Sequence, residues 1–221
     1  MQTNFLLIIA LLITLSSSIR AGVHNISLVK ATLKPIHFSN TPKTKYQIAA
    51  AGLKITVEKS ASALIIPFQK IHRLTGVSFQ WYALGKISGA SEETERSKKG
   101  DDALIRIGLI ISGPKPIVPI FAPDWIKKVQ TTLHLPSNRM IYLTPGMKNS
   151  AGTKFEHPYS SSIEVWSVAS TPVGVPWNKV AVEFPQLNVV GLWIMADGDN
   201  SGSDFVTHLK KLQLYSKDRL K

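Results

Sequence analysis

The stretch Val189-Val190-Gly191-Leu192-Trp193-Ile194-Met195-Ala196 is apolar at both parities. Successive side chains of a strand point to opposite faces, so this run suits a strand covered on both sides. It stops at Asp197-Gly198-Asp199-Asn200-Ser201-Gly202-Ser203-Asp204, where three Asp and one Asn fall within eight positions. Gly198 and Gly202 are free to take positive φ, and the segment reads as a tight acidic turn.

The rest of the chain repeats a period-2 pattern. Leu53, Ile55 and Val57 alternate with Lys54, Thr56 and Glu58, a half-buried strand. Ala61–Ile66 is a second strand, ended by Pro67, and Val77, Phe79, Trp81 and Ala83 mark a third. Further strands are expected at Ile26–Leu33, Ala103–Ile111, Arg139–Leu143, Ile163–Val168, Lys179–Phe184 and Phe205–Tyr215. In the last, the apolar parity switches between Leu209 and Leu212, which predicts a bulge near Lys210-Lys211. Gly85–Gly100 is polar and reads as a long exposed loop. One helix is expected near 123–133. Pro123 suits a first turn, Asp124 favours the N-terminal dipole, and Trp125, Ile126, Val129 and Leu133 share a face. The sum is an all-β chain, a two-sheet jelly-roll-type sandwich with Ala103–Ile111 and Val189–Ala196 central. With 221 residues, 44% of them hydrophobic, there is enough apolar material for one domain and a substantial core.

Residues 1–21 have the form of a secretory signal. Phe5–Leu15 is apolar but too short to span a bilayer comfortably, and small residues follow at Ser16, Ser17, Ser18 and Ala21. The mature chain, 22–221, is then expected in the periplasm or outside the cell, as a single β-sandwich domain; an uncleaved N-terminal anchor is the alternative. Elsewhere no segment is long and apolar enough to cross a membrane. Cysteine is absent, which removes disulfides, thiol chemistry and Cys-based zinc sites.

The net charge of +12 points either to scattered surface lysines or to an acidic partner: an anionic membrane surface, an acidic polysaccharide or other envelope component, or a nucleic acid. Lys98-Lys99, Lys127-Lys128 and Lys210-Lys211 are short pairs without interleaved aromatics, so nucleic acid is not expected. Tyr82 is in phase with Gln80 and Trp166 with Glu164, so both rings are candidates for exposed platforms that hold a glycan.

Asp197-Gly198-Asp199-Asn200-Ser201-Gly202 matches the opening of a calcium loop, D-x-[DN]-x-S-G. The EF-hand reading fails, because its twelfth position is His208 and the flanks are strands. A calcium site of another kind would draw on Asp197, Asp199 and Asn200, joined by the second acidic spot, Asp101-Asp102. Adjacent residues at a strand start face opposite ways, so at most one of that pair can share a site with Asp199. The alternatives are Asp and Asn satisfying backbone donors in a turn, with Arg106 neutralising the cluster, or an acid/base pair of a polysaccharide hydrolase or lyase. Glu156-His157-Pro158-Tyr159 reads as ordinary loop chemistry.

Several motifs resemble, in order, those of domain-of-unknown-function family 3047. They are Ser60-Ala61-Ser62-Ala63 with Leu64, Phe79-Gln80-Trp81, Lys99-Gly100-Asp101-Asp102-Ala103 with Arg106, and Ile194-Met195-Ala196-Asp197-Gly198-Asp199-Asn200-Ser201-Gly202. The family's patterns are S-A-S-A, W-R-W, K-x-G-D-D-A-x-x-R and T-D-x-D-N-T-G. Gln80 departs from the middle basic residue, Ala196 from the Thr, and Val168-Ala169-Ser170 lacks the family's Glu. The resemblance runs from Tyr46 to Leu214 and implies an exported bacterial protein with a galactose-binding-like sandwich and no known reaction.

Overall fold

A computed structural model describes residues 22–29, 31–50, 52–114, 124–169 and 177–217. The expected signal segment and Pro123 lie outside these. In chain order the elements are β1 (Gly22–Ile26), β2 (Lys34–His37), β3 (Lys45–Ala49), β4 (Gly52–Glu58), β5 (Ser62–Gly85), β6 (Ala103–Ser112), α1 (Asp124–Thr132), β7 (Ser137–Pro145), β8 (Lys154–His157), β9 (Ser160–Ala169), β10 (Asn178–Asp197) and β11 (Asp204–Ser216). Hydrogen bonding runs through one mixed sheet in the order β3-β4-β11-β5-β10-β6-β7-β9-β8, with β1 on β11 and β2 on β5. Among the described residues only β7 and β9 pair in parallel.

The two long central strands make this sheet a sandwich. Two steps along β10, Val189 to Gly191, face five steps along β5, Pro67 to His72. A second irregularity lies between Glu183 and Leu187. Bulges of this kind bend a strand and raise its twist. The first layer contains β1, β3, β4, β11, the later part of β5 and the early part of β10. The second contains β2, the early part of β5, the later part of β10, and β6, β7, β9 and β8. Ile55, Phe79, Trp81 and Leu209 of the first layer join Ile105, Ile107, Leu143 and Ile194 of the second in one buried cluster. The Thr207 hydroxyl donates to Leu104 O across the layers at 2.6 Å.

The run of apolar residues at both parities follows from this packing. Leu192, Ile194 and Ala196 face the interlayer core. Trp193 and Met195 face the opposite side, where Val129 and Leu133 of the helical segment cover them with Ile110 and Tyr142. Gly108, directly across from Trp193, leaves room for it: a Cβ there would stand 2.8 Å from the Trp193 Cβ.

Several expectations are corrected. Pro67 does not end a strand. It enters the bend opposite Gly191, where the missing N–H is tolerated, and β5 continues to Gly85. The segments at Lys179–Phe184 and Val189–Ala196 are likewise one strand. Among the described residues of Ile26–Leu33 only Ile26 lies in a strand: β1 ends there and β2 begins at Lys34. The Gly85–Gly100 loop is tied down rather than loose. Glu95, in a short 3-10 turn over Thr94–Arg96, is buried and accepts from Lys148 N at 2.6 Å, Asn149 N at 3.0 Å and Asn149 Nδ2 at 2.8 Å. The bulge in β11 is where the parity switch puts it, between Lys210 and Gln213, with Lys211 at φ 50°.

Candidate functional site

Two polar regions stand out. The first is an acidic rim. The strands β6 and β10 are antiparallel neighbours, so the start of one meets the end of the other, with Asp197 opposite Ala103. The meeting of the two acidic spots thus comes from opposite strand directions, not from strands running the same way. Arg106 is buried between them. One terminal nitrogen donates to Asp101 Oδ1 at 2.6 Å, the other to Asp197 Oδ2 at 3.1 Å. Asp197 Oδ1 also accepts from Ala103 N at 3.0 Å, and Asp101 Oδ2 lies 3.0 Å from His157 Nε2. Asp102 faces the other way. Its carboxylate accepts from Asn200 N at 3.2 Å and Ser201 N at 2.6 Å, clasping the turn.

As a result one oxygen each of Asp102, Asp197 and Asp199 lies within 4.8 Å of the others, a group that can hold a metal ion. Asp101 is turned toward Arg106 and His157. The Asn200 side chain donates to Asp101 O at 3.2 Å and accepts from the Tyr159 hydroxyl at 3.4 Å. Burial holds the Asp197 carboxyl well above the usual carboxylate range, against the pull of Arg106. Burial and then Asp102 push the Asp199 carboxyl up as well. Burial disfavours the charged Arg106 guanidinium, but Asp101 and Asp197 outweigh it and keep the group firmly protonated. Gly202 takes positive φ at 65°. Gly198 has another reason to be glycine: a Cβ there would meet Ser203 O at 2.7 Å. The sequence reading missed His157 and Tyr159, which dock onto the rim from the end of β8 and the turn that follows it. Their polar-aromatic clustering was the available signal.

The second region is the outer face of the first layer. Register places Gln47 beside Lys54, Lys54 beside His208, and His208 beside Tyr82. The Tyr82 ring stacks on His208 with centroids 4.4 Å apart, and Trp177 meets it edge-on at 4.8 Å. Lys210 Nζ sits 3.2 Å above the Trp177 ring. Tyr82, Trp177 and His208 are all partly exposed. At the β3 end of the row, Gln47, Gly52, Lys54 and His208 border a notch of about 170 Å³. That is below the roughly 300–1,000 Å³ of an enclosing ligand pocket, so a partner would lie across the face. Trp166, by contrast, is not exposed. It is packed in the interlayer core against Phe184, with Lys154 Nζ 3.7 Å over its ring, and offers no platform. Trp177 was missed because it precedes its strand at φ 54°, where alternation cannot be read.

The family model described as "protein of unknown function (DUF3047)" matches residues 31–213. The chain belongs to that family. The glycine-aspartate pair and the D-x-D-N-S-G turn that carried the resemblance are the two halves of the acidic rim. No curated protein matches the chain. Among solved structures, the chain is similar to the family 11 carbohydrate-binding module from Clostridium thermocellum in complex with a β-1,3-1,4-mixed-linked tetrasaccharide. The TM-score is 0.42 at 9% identity, over 87% of this chain and 95% of that one. It is also similar to the Emp47p carbohydrate recognition domain, with a TM-score of 0.31 at 11% identity, over 83% of this chain and 96% of that one.

Proposed function

We propose that the protein is an exported, non-catalytic module of the cell envelope that binds carbohydrate across the outer face of its first layer. The observation that carries this reading is the cross-strand row from Gln47 through Lys54, His208 and Tyr82 to Trp177. It combines aromatic rings with amide, imidazole and ammonium donors on a rigid sheet, the chemistry that sugar hydroxyls and ring C–H groups need. A glycan array probed with the intact mature chain tests it. Retention on a defined set of sugars, lost when Tyr82 and Trp177 are both replaced by Ala, is expected; retention on none refutes it.

Export rests on the apolar Phe5–Leu15 followed by small residues. Among the described residues, no helix is long and apolar enough to cross a membrane. N-terminal sequencing of envelope material is expected to begin after Ser18 or Ala21, and an intact Met1 on cytosolic protein would oppose export.

At the rim we infer a structural calcium. The donor set fits a hard cation: carboxylates of Asp102, Asp197 and Asp199 converge, and with Asp101 they outnumber the one buried guanidinium of Arg106. Asp102, Asp197 and Asp199 would hold the ion. It would supply positive charge that lets the carboxylates remain ionised together and ties the turn to the start of β6.

A further inference from the structure

We propose that the carbohydrate taken by this face is an acidic polysaccharide, its carboxylates met by Lys54, Lys179 and Lys210 around the Tyr82–His208–Trp177 cluster. The inference rests on the carbohydrate-binding reading above and names its ligand class.

Charge is the first argument. Register sets Lys210 and Lys179 on either side of Gln80, one row along from Lys54, His208 and Tyr82. Among the described residues no carboxylate pairs with any of these three lysines. The acids on the same face stand apart. Glu58 and Asp204 are opposite one another, four residues along their strands from Lys54 and His208, and Glu58 is already paired with Lys45 at 2.8 Å. Glu183 is four residues beyond Lys179. Four strand residues span about 13 Å, beyond the screening length of about 8 Å at physiological salt. The centre of the face is therefore positive without local compensation.

The second argument concerns what the rings offer. One face of Tyr82 lies on His208, and Lys210 covers a face of Trp177. A neutral sugar gains most by laying its C–H face on a free aromatic face. Here these contacts hold the rings in place. The cluster adds the Tyr82 hydroxyl and the His208 imidazole to the amide of Gln80 and the three ammonium groups. Donors and positive charge of this kind favour carboxylates over bare C–H faces.

Extent is the third argument. Lys54 on β4 and Lys179 on β10 are separated by β11 and β5, a width of about 14 Å at the spacing of neighbouring strands. A single small anion cannot reach across it. A polymer with a carboxylate on successive sugars can, and the shallow notch beside Gln47 leaves its ends open to continue.

The test is an equilibrium titration of the mature chain with four probes: a short polygalacturonate, the same chain with its carboxyls reduced to alcohols, a neutral glucan, and polyglutamate. The polygalacturonate is expected to bind about tenfold or more tighter than its reduced form, with an advantage that shrinks as salt rises. Replacing Lys54, Lys179 and Lys210 together by Gln should remove that advantage without altering the thermal unfolding midpoint. Equal, salt-insensitive binding of the acidic and reduced chains overturns the acidic ligand while sparing the carbohydrate reading. Polyglutamate binding as tightly as polygalacturonate overturns both, since charge alone then suffices. So does the failure of every sugar probe to bind. Full retention of polygalacturonate by the triple variant removes the lysines from the account.

Discussion

The acidic rim and the basic face differ in how far their polar groups are already engaged. At the rim, Asp101, Asp102, Asp197 and Arg106 are buried and each holds at least two partners inside the protein. On the face, Lys54 and Lys179 are exposed, and the ammonium of Lys210 lies over an aromatic ring. Buried, reciprocally bonded charges fix the ends of strands relative to one another, and removing one leaves the others uncompensated. Exposed charges without partners add little to the fold and stay available to a ligand. The most chemically suggestive stretch in the sequence is thus bonded into a corner of the fold, and the proposed binding surface lies on residues that look ordinary one at a time.

The strongest way to break this contrast is Arg106→Met. It should cost about 3–5 kcal/mol, because Asp101 and Asp197 are left buried without their cation. Denaturant unfolding measures this, and a loss below about 1 kcal/mol would mean that the rim is not structural in the sense argued. The folded fraction should still bind sugar normally.

Replacing Tyr82 and Trp177 together by Ala should do the reverse. Affinity for the sugar should fall by about 2 kcal/mol, roughly 30-fold, as for a central aromatic contact. The unfolding free energy should change less than in the Arg106 variant.

Calcium sharpens the comparison by acting on the rim alone. At ten times its Kd it should raise stability by about 1.4 kcal/mol, or the midpoint by roughly 3–6 °C, with no effect on sugar affinity. The effect has a definite pH sign. Asp197 and Asp199 have carboxyls raised in the fold, so without metal their contribution to stability is complete below the ordinary carboxylate range. It is lost as pH rises through the folded values. Calcium binds the ionised forms, so its stabilisation should be greater near about pH 8 than near about pH 5. Burial lowers the imidazoles of His37, His72 and His208, which contribute oppositely: their stability is present above about pH 6.5 and is lost on acidification. A midpoint unchanged by calcium and by chelator at both pH values would leave the turn as a hydrogen-bonded corner without an ion.

The smallest effect belongs to Lys45→Ala. Its pair with Glu58 is exposed on both sides, and its removal should cost between about 0 and 1 kcal/mol in denaturant unfolding.

Much of the fold was legible because local pattern and burial agree. Leu53, Ile55 and Val57 alternate inward as written, and the parity switch between Leu209 and Leu212 located a bulge. The run from Val189 to Ala196 announced its two covered faces. The bends in β5 and β10 were not legible, since the mostly polar stretch Gln69 to Arg73 and the breaker Pro67 resemble a connection when read without their partner strand. At the rim the acidic residues were visible, but which of Asp101 and Asp102 faces the turn depends on register, as does the arrival of His157. On the face, the partial exposure of Tyr82 was legible from its phase with Gln80. Its neighbours His208 and Lys54 are distant in sequence and adjacent only through β11 and β4. Trp166 was misread because the strand carrying it is covered at both parities there, so phase with a polar residue does not mean exposure.

The most direct test of the account is hydrogen–deuterium exchange of the mature chain with and without a saturating acidic oligosaccharide. Added protection is expected in the later half of β5, in β11 around His208–Lys211 and at the start of β10 near Lys179, with the turn at Gly198–Ser203 unchanged. Protection centred on Gly198–Ser203 and Asp101-Asp102, with the Tyr82 face exchanging as before, would contradict it and move the binding site to the rim.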